Sequence, residues 1–365
     1  MHHYTAIAEQ FIPQGHVLDV HEFGNGNIND TYLVTTDSIE ETHFVLQRIN
    51  THVFKQPNLI MRNMRIFSEH MRRRARQEGH YWEMPRVLKT RDGQDFYIDG
   101  ESSFWRAISY VQGACSYDTI QDLDHARQVG HAIGTFQYLI SDLPVESLAD
   151  TLEGFHIMPR YMRKYDQVFS RNGFAAKAEV RLGMEFIAAR RSWANVLENA
   201  REQGKLQLRP VHGDPKVNNV MVEDATGRAI SLVDLDTVKP GLIHYDIGDC
   251  IRSGSNPLGE ETENWEAVRF EPEIGAAILT GYLTQARHFL TPADYEYLFD
   301  SIRLLTFELG VRFFTDHLAG NVYFKVKHPE HNLLRALVQF RLTESIEAHE
   351  AEMRTIIQNM VYRAV

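Results

Sequence analysis

The chain has 365 residues, of which 43% are hydrophobic and 24% charged, ordinary proportions for a globular protein and too many residues for one small core, so two lobes are expected. Its 38 Lys and Arg against 49 Asp and Glu leave a formal charge of −11, which argues against nucleic acid as the main partner. Cys115 and Cys250 are the only cysteines, without metal-ligand spacing, so neither a disulfide scaffold nor a cysteine zinc site is expected. Residues 1–11 have no basic leader, and no apolar run approaches the ~20 residues of a membrane span, so the expected location is cytoplasmic with no membrane partner.

In chain order, a short opening helix precedes three antiparallel strands in 17–36 and 42–48. Gly24-Asn25-Gly26-Asn27 forms the first hairpin turn and 37–41 a second polar turn. On the third strand, period-two alternation puts Gln47 with Val45 and Arg48 with Leu46. Residues 59–78 read as a helix with Leu59, Met64, Phe67 and Met71 on its apolar side. On that helix Glu69 either pairs with a strand cation or faces solvent, and Arg72-Arg73-Arg74-Ala75-Arg76 reads as a solvated face. Strands follow in 85–89, 95–99 and 103–111, and Tyr110-Val111-Gln112-Gly113 marks a hinge where the period changes from two to 3.6.

The remainder reads as helical. Residues 123–140 place Ala126, Val129, Ile133, Phe136 and Ile140 at helical spacing, with Gly130 and Gly134 positioned for close packing. The pattern predicts one long helix over 178–203, ended by Gly204. From 271 onward two stripes, Leu298/Ile302/Leu305/Leu309 and Leu334/Val338/Leu342/Ile346, predict further core helices, with a loop over 256–264.

Between these helices lies His212-Gly213-Asp214-Pro215-Lys216-Val217-Asn218-Asn219-Val220-Met221, followed by Leu232-Val233-Asp234-Leu235-Asp236. Phosphoryl transfer to an alcohol needs a carboxylate to orient the hydroxyl and accept its proton, a role that suits Asp214. Hard Mg2+ takes oxygen ligands, which the Asn219 amide and the Asp234 carboxylate can supply. Lys216 can neutralise charge on the transferring group, while Asp236 has no role that sequence alone fixes. ATP is then the expected co-substrate. Gly24, Gly26 and Asn27 would approach its phosphates with backbone N–H groups. Arg48 would contact the phosphates, with Gln47 as the positional rival, and the backbone of Tyr110 and Val111 would read the adenine edge.

These segments resemble the aminoglycoside phosphotransferase/choline kinase family, in which Tyr245-Asp246-Ile247 corresponds to an acidic motif that braces the catalytic loop. The resemblance implies an α+β, protein-kinase-like two-lobed fold, with an antiparallel-sheet nucleotide lobe over 1–111 and a helical catalytic and acceptor lobe over 112–365. Within that family, Asn27-Ile28-Asn29-Asp30-Thr31-Tyr32, Val45-Leu46-Gln47-Arg48-Ile49-Asn50, Lys216-Val217-Asn218-Asn219-Val220-Met221 and Thr315-Asp316-His317-Leu318 with Tyr323-Phe324-Lys325 look like the N-acetylhexosamine 1-kinases. This implies carbohydrate metabolism, ATP and Mg2+, and phosphorylation of the anomeric hydroxyl of GlcNAc or GalNAc. Lys216, Asn218, Arg312, Asp316 and Tyr323 are the candidate sugar contacts. Choline, homoserine, another sugar or an aminoglycoside remains an alternative acceptor, as does a catalytically silent nucleotide- or sugar-binding module.

Overall fold

The computed structural model describes residues 2–24, 28–171 and 177–364. The opening helix α1 (His2–Ala8) leads into β1 (Val17–Glu22), β2 (Asp30–Thr36) and β3 (His43–Ile49), which pair antiparallel in sequence order. After α2 (Pro57–Glu78), the strands β4 (Val87–Leu88), β5 (Tyr97–Ile98) and β6 (Phe104–Ser109) complete a six-stranded sheet. In it β6 lies against β3, and Gln47 stands directly opposite Arg106.

Alternation along these strands gives the sheet two apolar faces. Tyr32, Val34, Phe44, Leu46 and Trp105 pack on one side with Ile7, Phe11 and Ile12 of the opening segment. Ile49, Phe104 and Ile108 face the other way, onto Met64, Phe67 and Met71 of α2. That helix begins with Pro57 in its first turn, where no N–H is needed, and ends at Gly79, whose left-handed φ of 71° lets its N–H cap the Ala75 carbonyl. Glu69 is exposed. Arg74, expected on a solvated face, instead donates to the Tyr138 carbonyl (2.6 Å) and Asp142 (2.7 Å) and ties α2 to the next helix.

The chain leaves the sheet through β7 (Ala114–Cys115), which pairs with β9 (Val220–Glu223) of the second lobe. Helix α3 (Leu123–Ile140) matches the expected span and is capped by Asp122, which accepts from His125 N. The helices α4 (Met158–Arg171), α5 (Ala178–Arg190) and α6 (Val196–Glu202) come next. The long helix predicted over 178–203 is therefore broken. At Arg190 the backbone departs to φ −109°, ψ 0°, a 3-10 turn follows, and Trp193 swings onto Phe307 (5.0 Å between rings) beneath the Arg303 guanidinium. Aromatic burial at the break outweighs helix propensity there.

Strands β8 (Arg209–Val211), β9, β10 (Ala229–Leu232) and β11 (Lys239–Gly241) form two small antiparallel sheets that carry the central polar segment. Around them pack α7 (Ile243–Gly254), α8 (Pro272–Ala286), α9 (Pro292–Glu296), α10 (Leu298–Leu318), α11 (His331–Ala348) and α12 (Glu350–Ala364). The small-residue spacing in α3 acts as expected. A Cβ on Gly130 would sit 1.9 Å from the Ile278 carbonyl oxygen of α8, and one on Gly281 would sit 1.8 Å from that of Arg127. The two backbones approach as closely as they do because neither position carries a side chain.

Candidate active site

Strand β8 ends at Val211 and hands the chain to a loop held almost wholly by buried polar groups. Asp246, fully buried on α7, accepts the N–H of His212 at Oδ2 (2.9 Å) and of Gly213 at Oδ1 (2.8 Å), and Gln137 of α3 donates to it at 2.9 Å. Thr237 Oγ1 donates to the His212 carbonyl at 2.8 Å. Burial raises the Asp246 carboxyl above its ordinary value, against the lowering effect of these hydrogen-bond donors. Gly213 has φ +89°, and a Cβ there would lie 2.8 Å from the Thr237 carbonyl oxygen, so the turn requires glycine.

With its backbone fixed, Asp214 turns its carboxylate to the cleft, where Lys216 Nζ lies 3.3 Å away. Burial opposes ionisation of Asp214, but the charge and hydrogen bond of Lys216 outweigh it and hold the carboxyl below the usual range. Asp214 in turn is the largest influence raising Lys216. Asn219 donates Nδ2 to the Asp214 carbonyl at 2.7 Å, which orients its Oδ1 as the remaining acceptor. The Val233 N–H bonds the Asn219 carbonyl at 2.9 Å and brings the end of β10 alongside.

Asp234 follows with φ +59°, ψ 58°, a left-handed conformation that a non-glycine residue adopts at a cost. Its side chain opens into the cleft. Desolvation by the surrounding cleft walls, then the carboxylates of Asp236 and Asp214, push its carboxyl up to about 7. The Asp234 carboxylate and the Asn219 amide oxygen are hard oxygen donors of the kind a divalent cation takes. Among the described residues no group of three or more His, Cys, Asp or Glu could hold a metal ion.

On the opposite side of the cleft the structure corrects the reading of Arg48. That guanidinium lies on the outer face of the sheet, paired with Asp30 (Nε to Oδ2, 2.9 Å) and 6.0 Å over the Trp105 ring. Gln47 occupies the cleft side, and the cation beside it is Arg106 of β6, 1% exposed. Arg106 donates Nε (3.0 Å) and Nη2 (2.7 Å) to Gln47 Oε1, sets Nη1 3.0 Å from Met64 Sδ, and forms a buried ion pair with Asp236. Asn29 Nδ2 donates to the other Asp236 oxygen at 2.6 Å. Asp236 thus joins the sheet to the catalytic segment. The exposed Glu69 takes no part, and Met64 faces Arg106 from α2 instead. One sequence signal marks Arg106: it is a charge between Phe104 and Ile108 on the apolar face of a strand.

Of the residues expected near nucleotide, Gly24 sits in the β1–β2 turn with φ +75°, and Gly26 and Asn27 lie outside the described residues. Tyr110 brings its ring 6.0 Å from Phe23 beside that turn, and Val111 is buried with Ala114 and Ile230 at the crossing between lobes.

A recess beside the catalytic loop gathers Phe155, Tyr161, Lys164, Arg312, Thr315, Asp316, Tyr323 and Phe324 among its lining. Arg312 lies 5.0 to 5.6 Å from the ring centroids of Phe155, Tyr161 and Phe324. The structure brings Arg312, Asp316 and Tyr323 together but gives Asp316 a different task from the one expected. Its Oδ1 accepts the N–H groups of Val322 and Tyr323, and its Oδ2 accepts Phe324 N–H and Asn332 Nδ2, all at 2.9–3.0 Å. Those bonds saturate the carboxylate, so it shapes the loop that presents Tyr323 and has no lone pair left for a ligand. Asn218 is exposed and turned toward Asp118 (3.5 Å), outside the recess.

The model of the phosphotransferase enzyme family matches residues 19–292. Among solved structures, an aminoglycoside phosphotransferase from Alicyclobacillus acidocaldarius is 15% identical, with a TM-score of 0.59 over 97% of this chain and 96% of that one. A microcompartment-associated aminopropanol kinase is 15% identical, with a TM-score of 0.57 over 92% and 93%. A spectinomycin phosphotransferase in complex with ADP and spectinomycin is 13% identical, with a TM-score of 0.53 over 91% and 92%. At these identities the structures show a shared, protein-kinase-like fold. No helix among the described residues is long and apolar enough to cross a membrane.

Proposed function

The chain belongs to the phosphotransferase enzyme family, and we propose that it transfers the γ-phosphoryl group of ATP to the anomeric hydroxyl of an N-acetylhexosamine, GlcNAc or GalNAc. In this reading residues 1–111 hold the nucleotide and residues 112–365 carry the catalytic groups and the acceptor. The Asp214 carboxylate orients the sugar hydroxyl and takes its proton as the new O–P bond forms and the bond to the β-phosphate oxygen breaks, releasing ADP. Lys216 offsets charge on the transferring group. Asn219 Oδ1 and Asp234 would hold Mg2+, which when bound neutralises phosphate charge. Gly24 in the hairpin turn and the Tyr110-Val111 backbone would frame the nucleotide, with Arg106 in place of Arg48 as the positive charge on that side. The spectinomycin phosphotransferase bound to ADP is the fold precedent for the nucleotide.

The observation that carries the acceptor class is the cation in the recess. Arg312, clasped by three aromatic rings, and Lys164 both line it, while Asp316 is spent on backbone N–H groups. The fold neighbours are named for aminoglycoside and aminopropanol acceptors, which are cationic amines. Such an acceptor would meet Arg312 and Lys164 here, with Glu153, already paired to Arg160, as the remaining carboxylate of the lining, whereas a neutral sugar with an amide carbonyl offers Arg312 and Tyr323 acceptors and the rings an apolar face. ADP release over a panel of GlcNAc, GalNAc, glucose, galactose, choline and kanamycin tests this, with phosphorus NMR to locate the new ester. The expected result is turnover of GlcNAc or GalNAc to the 1-phosphate. Preference for kanamycin or choline would overturn the acceptor class, and ATP binding with no ADP from any acceptor would favour a silent module.

A further inference from the structure

Two buried histidines hold one peptide group of the catalytic loop, and their partners differ in kind. The Gly213–Asp214 peptide presents its N–H to His212 Nδ1 at 3.3 Å and its carbonyl to His156 Nε2 at 2.6 Å. The other nitrogen of His212 meets the Val233 carbonyl at 3.1 Å. His212 therefore faces one donor and one acceptor, the requirement of a neutral imidazole protonated at Nε2. Burial lowers its pKa, in agreement with that state.

His156 faces two acceptors. Beyond the Gly213 carbonyl, its Nδ1 lies 2.9 Å from Glu308 Oε1 of α10. A neutral ring has one N–H and would turn a lone pair at one of these oxygens, so both contacts are satisfied only when the ring carries two protons. Arg312 stands 3.8 Å from the same Glu308 oxygen and favours its ionised form. The backbone of His156 is held at φ +63°, a left-handed conformation unfavourable for this residue type. The ring is thus placed by the fold against a local cost.

We propose that His156 is a positioning residue that works as an imidazolium: paired with Glu308, it clamps the Gly213 carbonyl and fixes the peptide from which Asp214 reaches the acceptor. The link from this clamp to turnover rests on Asp214 being the base. The charged and titratable groups facing the ring are Glu308 and Arg312 from α10, Asp249 and Tyr245 from α7, Tyr161 from α4 and Asp214 from the loop itself. Burial opposes the second proton, as does Arg312, but the charge and hydrogen bond of Glu308, aided by Asp249, outweigh them and raise the histidine above its ordinary 6.5. Because the folded-state value is raised, the clamp is complete at acid pH and is lost as pH climbs through that value.

The test uses the full chain labelled with 15N-histidine, the His156 signal being assigned by its loss in His156→Gln. At pH 6.5 the wild-type ring is expected to be mostly doubly protonated, and Glu308→Gln, which keeps the side-chain volume but removes the charge, lowers its titration by about one pH unit or more. In parallel, kcat at saturating substrates shows an alkaline limb in wild type that moves to lower pH in Glu308→Gln. In His156→Gln that limb is absent and kcat falls roughly 10-fold or more. A ring mostly singly protonated at pH 6.5, or an alkaline limb identical in wild type and Glu308→Gln, overturns the proposal. The spectroscopic arm needs no acceptor, so an error in acceptor identity leaves it standing, and should His156→Gln fail to fold, the alkaline limb of wild type against that of Glu308→Gln still decides the proposal.

Discussion

The catalytic segment and the N-terminal sheet place charge against the same cleft in opposite ways. Between 212 and 236 the chain keeps its working groups accessible: Asp214 and Lys216 are half-buried, Asp234 opens to the cleft, and desolvation by the cleft walls, with the charges of Asp236 and Asp214, lifts the Asp234 carboxyl to about 7. Across from it, the sheet offers one cation, Arg106, sealed from solvent with its donors engaged by Gln47, Met64 and Asp236. The difference follows from the work each region does. Groups that exchange partners during turnover must stay reachable, whereas a charge that holds two lobes in register is most effective when desolvated and fully paired. Asp236 belongs to both regions, and its position two residues after Asp234 makes the Arg106 pair a brace for the metal-side turn.

Substitutions can break this contrast at several strengths. The largest effect is expected for Arg106→Met, which leaves Asp236 buried and unpaired and should cost about 3–5 kcal/mol in urea unfolding. A loss below about 1 kcal/mol would mean the pair is not a brace. Gly281→Ala tests the helix contact behind the site; with backbone 1.8 Å from the new Cβ, α3 and α8 must separate, at about 1–3 kcal/mol or slightly more. Arg312→Met should raise the acceptor KM roughly tenfold while leaving the ATP KM nearly unchanged. A rise in the ATP KM instead would move Arg312 out of the acceptor recess. The smallest effect belongs to Arg48→Met, an exposed pair on the outer face, at about 0–1 kcal/mol with no change in the ATP KM. If Arg48→Met harmed nucleotide use more than Arg106→Met, the assignment of sheet faces would be inverted.

Legibility in the sequence followed the range of the interactions. Asp214, Lys216, Asn219 and Asp234 occupy one short segment between apolar strands, so their joint pattern is visible, whereas the brace at Asp246 was legible only through the family resemblance, because its bonds to His212 and Gly213 span more than thirty residues. Helix α3 was readable to its ends because its apolar stripe and close-packing glycines agree with one another; the Asp122 cap is what the structure adds. Arg106 was not readable from β3, since its approach to Gln47 depends on the register between strands nearly sixty residues apart, and its pairing with Asp236 on the closure of two lobes. His156 gave no sign because its role lies in two distant acceptors, Gly213 and Glu308. Asp316 shows the converse. Its residue type suits a sugar, but only the path of the 322–324 backbone reveals that its oxygens are already taken.

Proton transfer to Asp214 is the step on which the other assignments depend. Asp214→Asn keeps the side-chain shape and the loop bonds, so ATP affinity by calorimetry should stay close to wild type while kcat with the preferred acceptor falls by roughly 10²-fold or more. Turnover of the variant at the wild-type rate, with ATP bound equally well, would contradict proton transfer to Asp214 and with it the chemistry assigned to the segment.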